Sequence, residues 1–113
     1  MPCRERRAWW CAAAAVVGWS STERLLSPNL GGALLLVQTT FEPGASIGDR
    51  DRERHGEEAG VVLQGTLELR LDDRTLRLQA GDAFSFTRRG PHRCHNPGSV
   101  PAVVLWVITP PSY

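Results

Sequence analysis

From residue 33 onward, apolar and polar positions alternate over short stretches separated by turn residues. Leu67, Leu69 and Leu71 fall on one face of an extended segment, and Glu68 and Arg70 fall on the other. The alternation resumes in Thr75-Leu76-Arg77-Leu78 after the turn Asp72-Asp73-Arg74, which predicts a β-hairpin. Ala83-Phe84-Ser85-Phe86 alternates again after Gly81-Asp82. Residues 33–41 end in Thr39, Thr40 and Phe41 and are closed by Pro43-Gly44, as a strand would be. Residues 61–64 lead into Gly65, and residues 102–108 form a continuous apolar run between Pro97-Gly98 and Pro110-Pro111. About seven short strands are predicted in residues 33–108, with no helix of ordinary length. An all-β sandwich or barrel satisfies this pattern, because closure removes exposed strand edges.

Two stretches fall outside it. Residues 45–58 are irregular and highly charged, and such a run reads as a solvated loop or an edge strand. Near the start, Arg4, Arg6 and Arg7 precede an apolar run over residues 8–19, followed by Ser20-Ser21. That order has the shape of a secretory signal and is too short for an ordinary membrane span. Trp19 interrupts the small residues expected at a cleavage site, so a helical extension packing its tryptophans on the barrel is the rival reading. The organisation expected is a short extension, residues 1–24, followed by one domain, residues 25–113.

A chain of 113 residues accommodates one domain. The formal net charge is +1, which is no electrostatic footprint for nucleic acid over the whole domain. Cys3, Cys11 and Cys94 form no C-x-x-C pair, so neither a disulfide framework nor a structural zinc site is expected. Free thiols suit the cytoplasm, with export the alternative if residues 1–20 act as a signal. No Gly-rich phosphate loop and no G-x-S-x-G elbow is present.

Candidate chemistry is concentrated in two clusters. One is His55-Gly56-Glu57-Glu58; the other runs from Gly81 to Pro91-His92 and on to Asn96. Each mixes metal-ligating side chains with turn residues at strand ends, and imidazole with carboxylate suits a divalent transition metal. The spacings Glu58-x6-Gly65 and Gly81-Asp82 to Pro91-His92-x3-Asn96 resemble the two cupin motifs. Pro43-Gly44-Ala45-Ser46, residues 56–63, Asn96-Pro97-Gly98 and Leu105-Trp106-Val107-x-Thr109-Pro110-Pro111 resemble, more narrowly, the C-terminal cupin sensor domain of XRE-type helix-turn-helix regulators. The resemblance covers about residues 25–113.

That resemblance implies a double-stranded β-helix, the cupin or jelly-roll barrel, with a ligand site in its mouth. Metal-binding cupins carry a His-x-His pair, a Glu and a later His. Here Glu58 stands at the Glu and His92 at the later His, but Arg52 and Arg54 occupy the His-x-His positions. Arginine stays protonated and ligates no metal. His55 lies one residue on, which on a strand is the opposite face unless a bulge intervenes. The candidate metal set is therefore His55, Glu58 and His92, with no cofactor as the other expectation. The candidate ligand contacts are Arg52, Arg54, His55, Glu58, His92 and Trp106, the two arginines being suited to an anion. No catalytic residue is assigned.

Regulators of the resembled type carry a DNA-binding module of about three helices ahead of the cupin. Residues 1–24 contain no recognition helix, so direct nucleic-acid binding is not expected of this chain. The leading expectation is a small-molecule-binding sensor domain, paired as a homodimer and with no membrane partner. The alternative is a metal-dependent cupin enzyme of oxygenase, isomerase or decarboxylase type, recruiting His55, Glu58, His92 and also His95 or Glu53.

Overall fold

Period-two patterning is realised as strands nearly throughout, and the strands fold so that their apolar faces meet. The structure, a computed structural model, describes residues 21–27, 31–49, 56–71, 74–87 and 92–110. Among these residues are nine strands and no helix. They are β1 (Ser21–Leu25), β2 (Leu35–Phe41), β3 (Ser46–Asp49), β4 (Glu57–Gln64), β5 (Thr66–Leu71), β6 (Arg74–Gln79), β7 (Ala83–Thr87), β8 (His92–His95) and β9 (Ala102–Thr109). With no helix, none of the described residues forms one long and apolar enough to cross a membrane.

The strands form two antiparallel sheets, ordered β1-β2-β9-β4-β7 and β3-β8-β5-β6. Register decides which side chains face inward. β2 and β9 pair so that Val37 lies opposite Trp106, Thr39 opposite Val104 and Phe41 opposite Ala102. All six are buried, while Leu36, Gln38, Thr40, Val103, Leu105 and Val107 take the other face. In the second sheet Leu67 and Leu69 are fully buried and Leu69 lies opposite Cys94. One apolar cluster joins both sheets, with Leu35, Phe41, Val62 and Val104 among its members. The expected hairpin is present as β5–β6, with Leu67 opposite Leu78 and Leu69 opposite Leu76.

Two strands lie where the alternation is weakest. β3 falls in the stretch read as a solvated loop or an edge strand, and its pairing with β8 makes it an edge of the four-stranded sheet. Its pattern is weak because it is short and contains Gly48; β8 supplies the partner that the local sequence cannot announce. β1 starts ahead of the boundary expected at residue 25 and pairs with β2 along its whole length. Ser21 and Leu25 are buried at its two ends, so β1 belongs to the packed sheet.

Turns hold the two sheets in place. Gly65 connects β4 to β5 with φ of 78°, and a Cβ there would sit 2.6 Å from the Pro101 carbonyl oxygen. Both the left-handed backbone and the close approach require glycine. Asn96, fully buried, ties three segments together. Its Nδ2 donates to the carbonyls of Phe41 (3.0 Å) and Val100 (2.8 Å), and its Oδ1 accepts from Gly98 N–H (2.9 Å). Its backbone exchanges further bonds with Ala45 and Gly44. The Asn of the second motif is thus a structural clamp between the β2–β3 and β8–β9 loops.

Candidate functional site: a cavity between the sheets

Between the two sheets lies a cavity of about 110 Å³. Its polar wall is Glu23 of β1, Thr39 of β2, Glu58 of β4, and His92 and Cys94 of β8. Trp106 and Ile108 of β9 complete it with Val37, Phe41 and Ile47. Strand parity accounts for the set. Residues 92 and 94 share a face of β8, and 106 and 108 share a face of β9. Glu58 lies opposite both Ile108 and Phe86, so the carboxylate enters from the inner face of β4.

A missing side chain shapes the aromatic wall. Gly60 lies between Phe84 on β7 and Trp106 on β9. A Cβ at Gly60 would fall 2.6 Å from Phe84 Cζ and 2.7 Å from the Leu105 carbonyl oxygen. The space left open lets the Phe84 and Trp106 rings meet edge to face, centroids 5.1 Å apart at 76°. Phe86 stands 5.0 Å from the His92 ring.

His92 Nε2 lies 3.7 Å from Glu58 Oε2, an ion-pair distance when the imidazole is protonated and too long for a direct hydrogen bond. Glu58 is 7% exposed, so its charge is largely removed from water. Burial pushes the Glu23 carboxyl above the usual glutamate range. Burial, then the nearby charges of Glu58 and Glu23, push the Cys94 thiol far above its usual range. Cys94 is therefore a protonated wall residue and not a thiolate nucleophile.

Of the residues singled out in the sequence, Glu58, His92 and Trp106 meet in this one cavity. Arg52, Arg54, His55 and Glu53 lie outside the described residues, as does the segment 1–20. His95 takes the opposite face of β8 from His92 and sits 3.8 Å from Glu68 on the outer side, so it does not join the site. Glu23 was not foreseen. Its signal was its place two residues before buried Leu25, which puts both on one face of a strand.

Among the described residues no group of three or more His, Cys, Asp and Glu side chains is placed to hold a metal ion. Glu58 and His92 supply two donors, whereas a catalytic zinc site uses three protein ligands and a structural one four. The described donor set does not fit a metal centre.

Residues 37–108 match the family model Cupin_2, described as a cupin domain. The chain belongs to the Cupin_2 family. This cupin domain is 32% identical over 92 residues to the tetracenomycin polyketide synthase protein TcmJ of Streptomyces glaucescens, covering 80% of the chain and 61% of TcmJ. It is 27% identical over 85 residues to the HTH-type transcriptional regulator PuuR of Escherichia coli, covering 75% of the chain and 45% of PuuR. The chain thus spans about half to three-fifths of these relatives' lengths. In three dimensions it resembles the Cupin_2 domain of an XRE family transcriptional regulator from Enterobacter cloacae, with a TM-score of 0.73 and 23% identity. That match covers 82% of this chain and 99% of the other, and at such identity it speaks for the fold.

Proposed function

We propose that this chain is a non-catalytic cupin domain that binds a small metabolite and serves as the sensing part of a transcriptional regulator. The observation that carries this reading is the meeting of Glu23, Glu58, His92 and Trp106 around one cavity of about 110 Å³ inside a barrel with a mostly apolar core. Small-molecule sites have this character, a largely apolar hollow with a few convergent polar groups. The similarity to PuuR and to the Enterobacter cloacae regulator domain supports the regulatory setting. In this reading the metabolite binds one state of the domain more tightly than another, and that difference drives the response. The signal passes to a DNA-binding partner chain in the cytoplasm. The sensor pairs as a homodimer through the outer face of the β9 sheet, where Val103, Leu105 and Val107 are only half-buried.

A second reading, a metal-dependent cupin enzyme, is favoured by the juxtaposition of His92 and Glu58 at 3.7 Å and by the likeness to TcmJ. Two measurements separate them. Elemental analysis of purified protein finding about one metal per chain, lost in His92→Ala, supports the enzyme. Metal-free protein whose melting temperature rises by about 10 °C with a metabolite at a hundredfold its Kd supports the sensor. Metal-free protein stabilised by no member of a panel of polar metabolites overturns the sensor reading.

A further inference from the structure

We infer that the cavity selects a short aliphatic ammonium compound carrying one neutral oxygen acceptor, with Glu23 as its principal anionic anchor. This rests on the small-molecule-binding reading above and names the chemical class of the ligand.

Two carboxylates, Glu23 from β1 and Glu58 from β4, line one small cavity, and no Lys or Arg stands among its described wall residues. The one wall group able to become cationic is His92, already 3.7 Å from Glu58. Whichever protonation state His92 adopts, the wall holds at least one carboxylate that the imidazole does not balance. Glu23 is that group. It makes no hydrogen bond or ion pair with any described residue, and burial already disfavours its ionised form. A half-buried carboxylate with no counter-charge among the described residues costs free energy that an entering cation removes.

A second polar group lines the cavity from β9, two strands along the same sheet from β1. Trp106 projects from the inner face of β9 into the cavity lining and is 6% exposed. Its Nε1–H, itself buried, has no acceptor among the described residues. Most buried tryptophan N–H groups find a partner. A ligand oxygen supplies one, and the indole face adds a favourable surface for a neighbouring ammonium group. A carboxylate would bring an acceptor too, but it would face Glu23 and Glu58 at close range, so the oxygen is hydroxyl, ether or carbonyl.

Size narrows the class. A dry cavity of roughly 150 Å³ accommodates benzene, and this one is about 110 Å³. The cavity is open on one side, so the part of the ligand held inside it is on the order of five non-hydrogen atoms.

The test uses four probes of nearly equal size on the full chain, by calorimetry and by the Trp106 indole N–H signal, assigned through Trp106→Phe. They are 3-aminopropan-1-ol, n-butylamine, propane-1,3-diol and 3-hydroxypropanoate. The expected order places 3-aminopropan-1-ol first, with the diol and the anion at least about tenfold weaker. Glu23→Gln weakens 3-aminopropan-1-ol by about 10- to 100-fold and leaves the diol within about twofold. Trp106→Phe brings 3-aminopropan-1-ol down to the affinity of n-butylamine. Equal or tighter binding of the diol or of 3-hydroxypropanoate overturns the inference, the latter pointing instead to the arginines at positions 52 and 54. So does a Glu23→Gln protein that is folded by circular dichroism and binds the aminoalcohol as the parent does. If all four probes fail while a polar metabolite from the wider panel stabilises the protein, the ligand class is wrong and the binding-domain reading stands.

Discussion

Replacing Asn96 by alanine removes three side-chain hydrogen bonds from a site with no solvent exposure. The Phe41 carbonyl loses a fully buried donor, and the Val100 carbonyl and Gly98 N–H lose partly buried partners. A buried group left unsatisfied costs ~1–3 kcal/mol, with carbonyls at the low end because a second lone pair is often engaged elsewhere. Summed with a discount for the two partly buried groups, the loss is about 3 kcal/mol, a large share of the ~5–15 kcal/mol that holds a domain folded. Urea denaturation followed by circular dichroism reads it directly. With m near ~1.5 kcal/mol/M, the midpoint falls by ~2 M while m stays constant. Asn96→Asp adds a control on mechanism. It keeps the acceptor for Gly98 N–H but turns an oxygen toward the Phe41 and Val100 carbonyls, so it is worse than alanine at neutral pH. In acid the protonated carboxyl donates one bond and part of the stability returns. Its native-state proton is held to higher pH than in the unfolded chain, so stability must fall as pH rises. A midpoint for Asn96→Ala within ~0.5 M of the parent would refute the clamp and return Asn96 to the list of candidate site residues.

Glu23→Gln should stabilise the ligand-free protein at pH 7 in thermal melts. Burial raises the native carboxyl above its ordinary value of 4.5, so the unfolded chain loses its proton first and stability falls as pH climbs through that value toward the native one. The advantage of glutamine should vanish below pH 4.5, where both states hold the proton; an advantage that persists there contradicts the assignment. Gly60→Ala should cost about 1–3 kcal/mol in urea, because the new methyl meets Phe84 Cζ and the Leu105 carbonyl. It should also shift the Trp106 indole signal, whereas a surface glycine would leave both unchanged. Cys94 should react with iodoacetamide only as fast as the barrel opens, measured in a Cys3→Ser, Cys11→Ser background, since burial and two carboxylates keep its thiol protonated. Rapid labelling of folded protein would contradict that.

Much of the barrel was legible in the order of residues. Strict alternation marked β5, β6 and β7, and the inward leucines of β5 are those its pattern named. A strand with one wet face must repeat every two residues, and that periodicity is local. The motif spacing likewise brought Glu58 and His92 together, as the 3.7 Å pair has it.

Other features depended on partners distant in sequence. β3 is a strand because β8 offers it a ladder, and no residue within β3 says so. Glu23 sits in a polar segment whose role becomes visible only when β1 joins β2 and turns one face to the cavity. Asn96 resembled a site residue from its neighbourhood in the second motif, yet its amide is committed to Phe41, 55 positions away along the chain. Nothing in the sequence beside Gly60 announces that Phe84 and Trp106 lie on either side of it. Sequence periodicity reports the environment of a face. Which faces meet, and which polar groups they trap together, is decided when the two sheets close on each other.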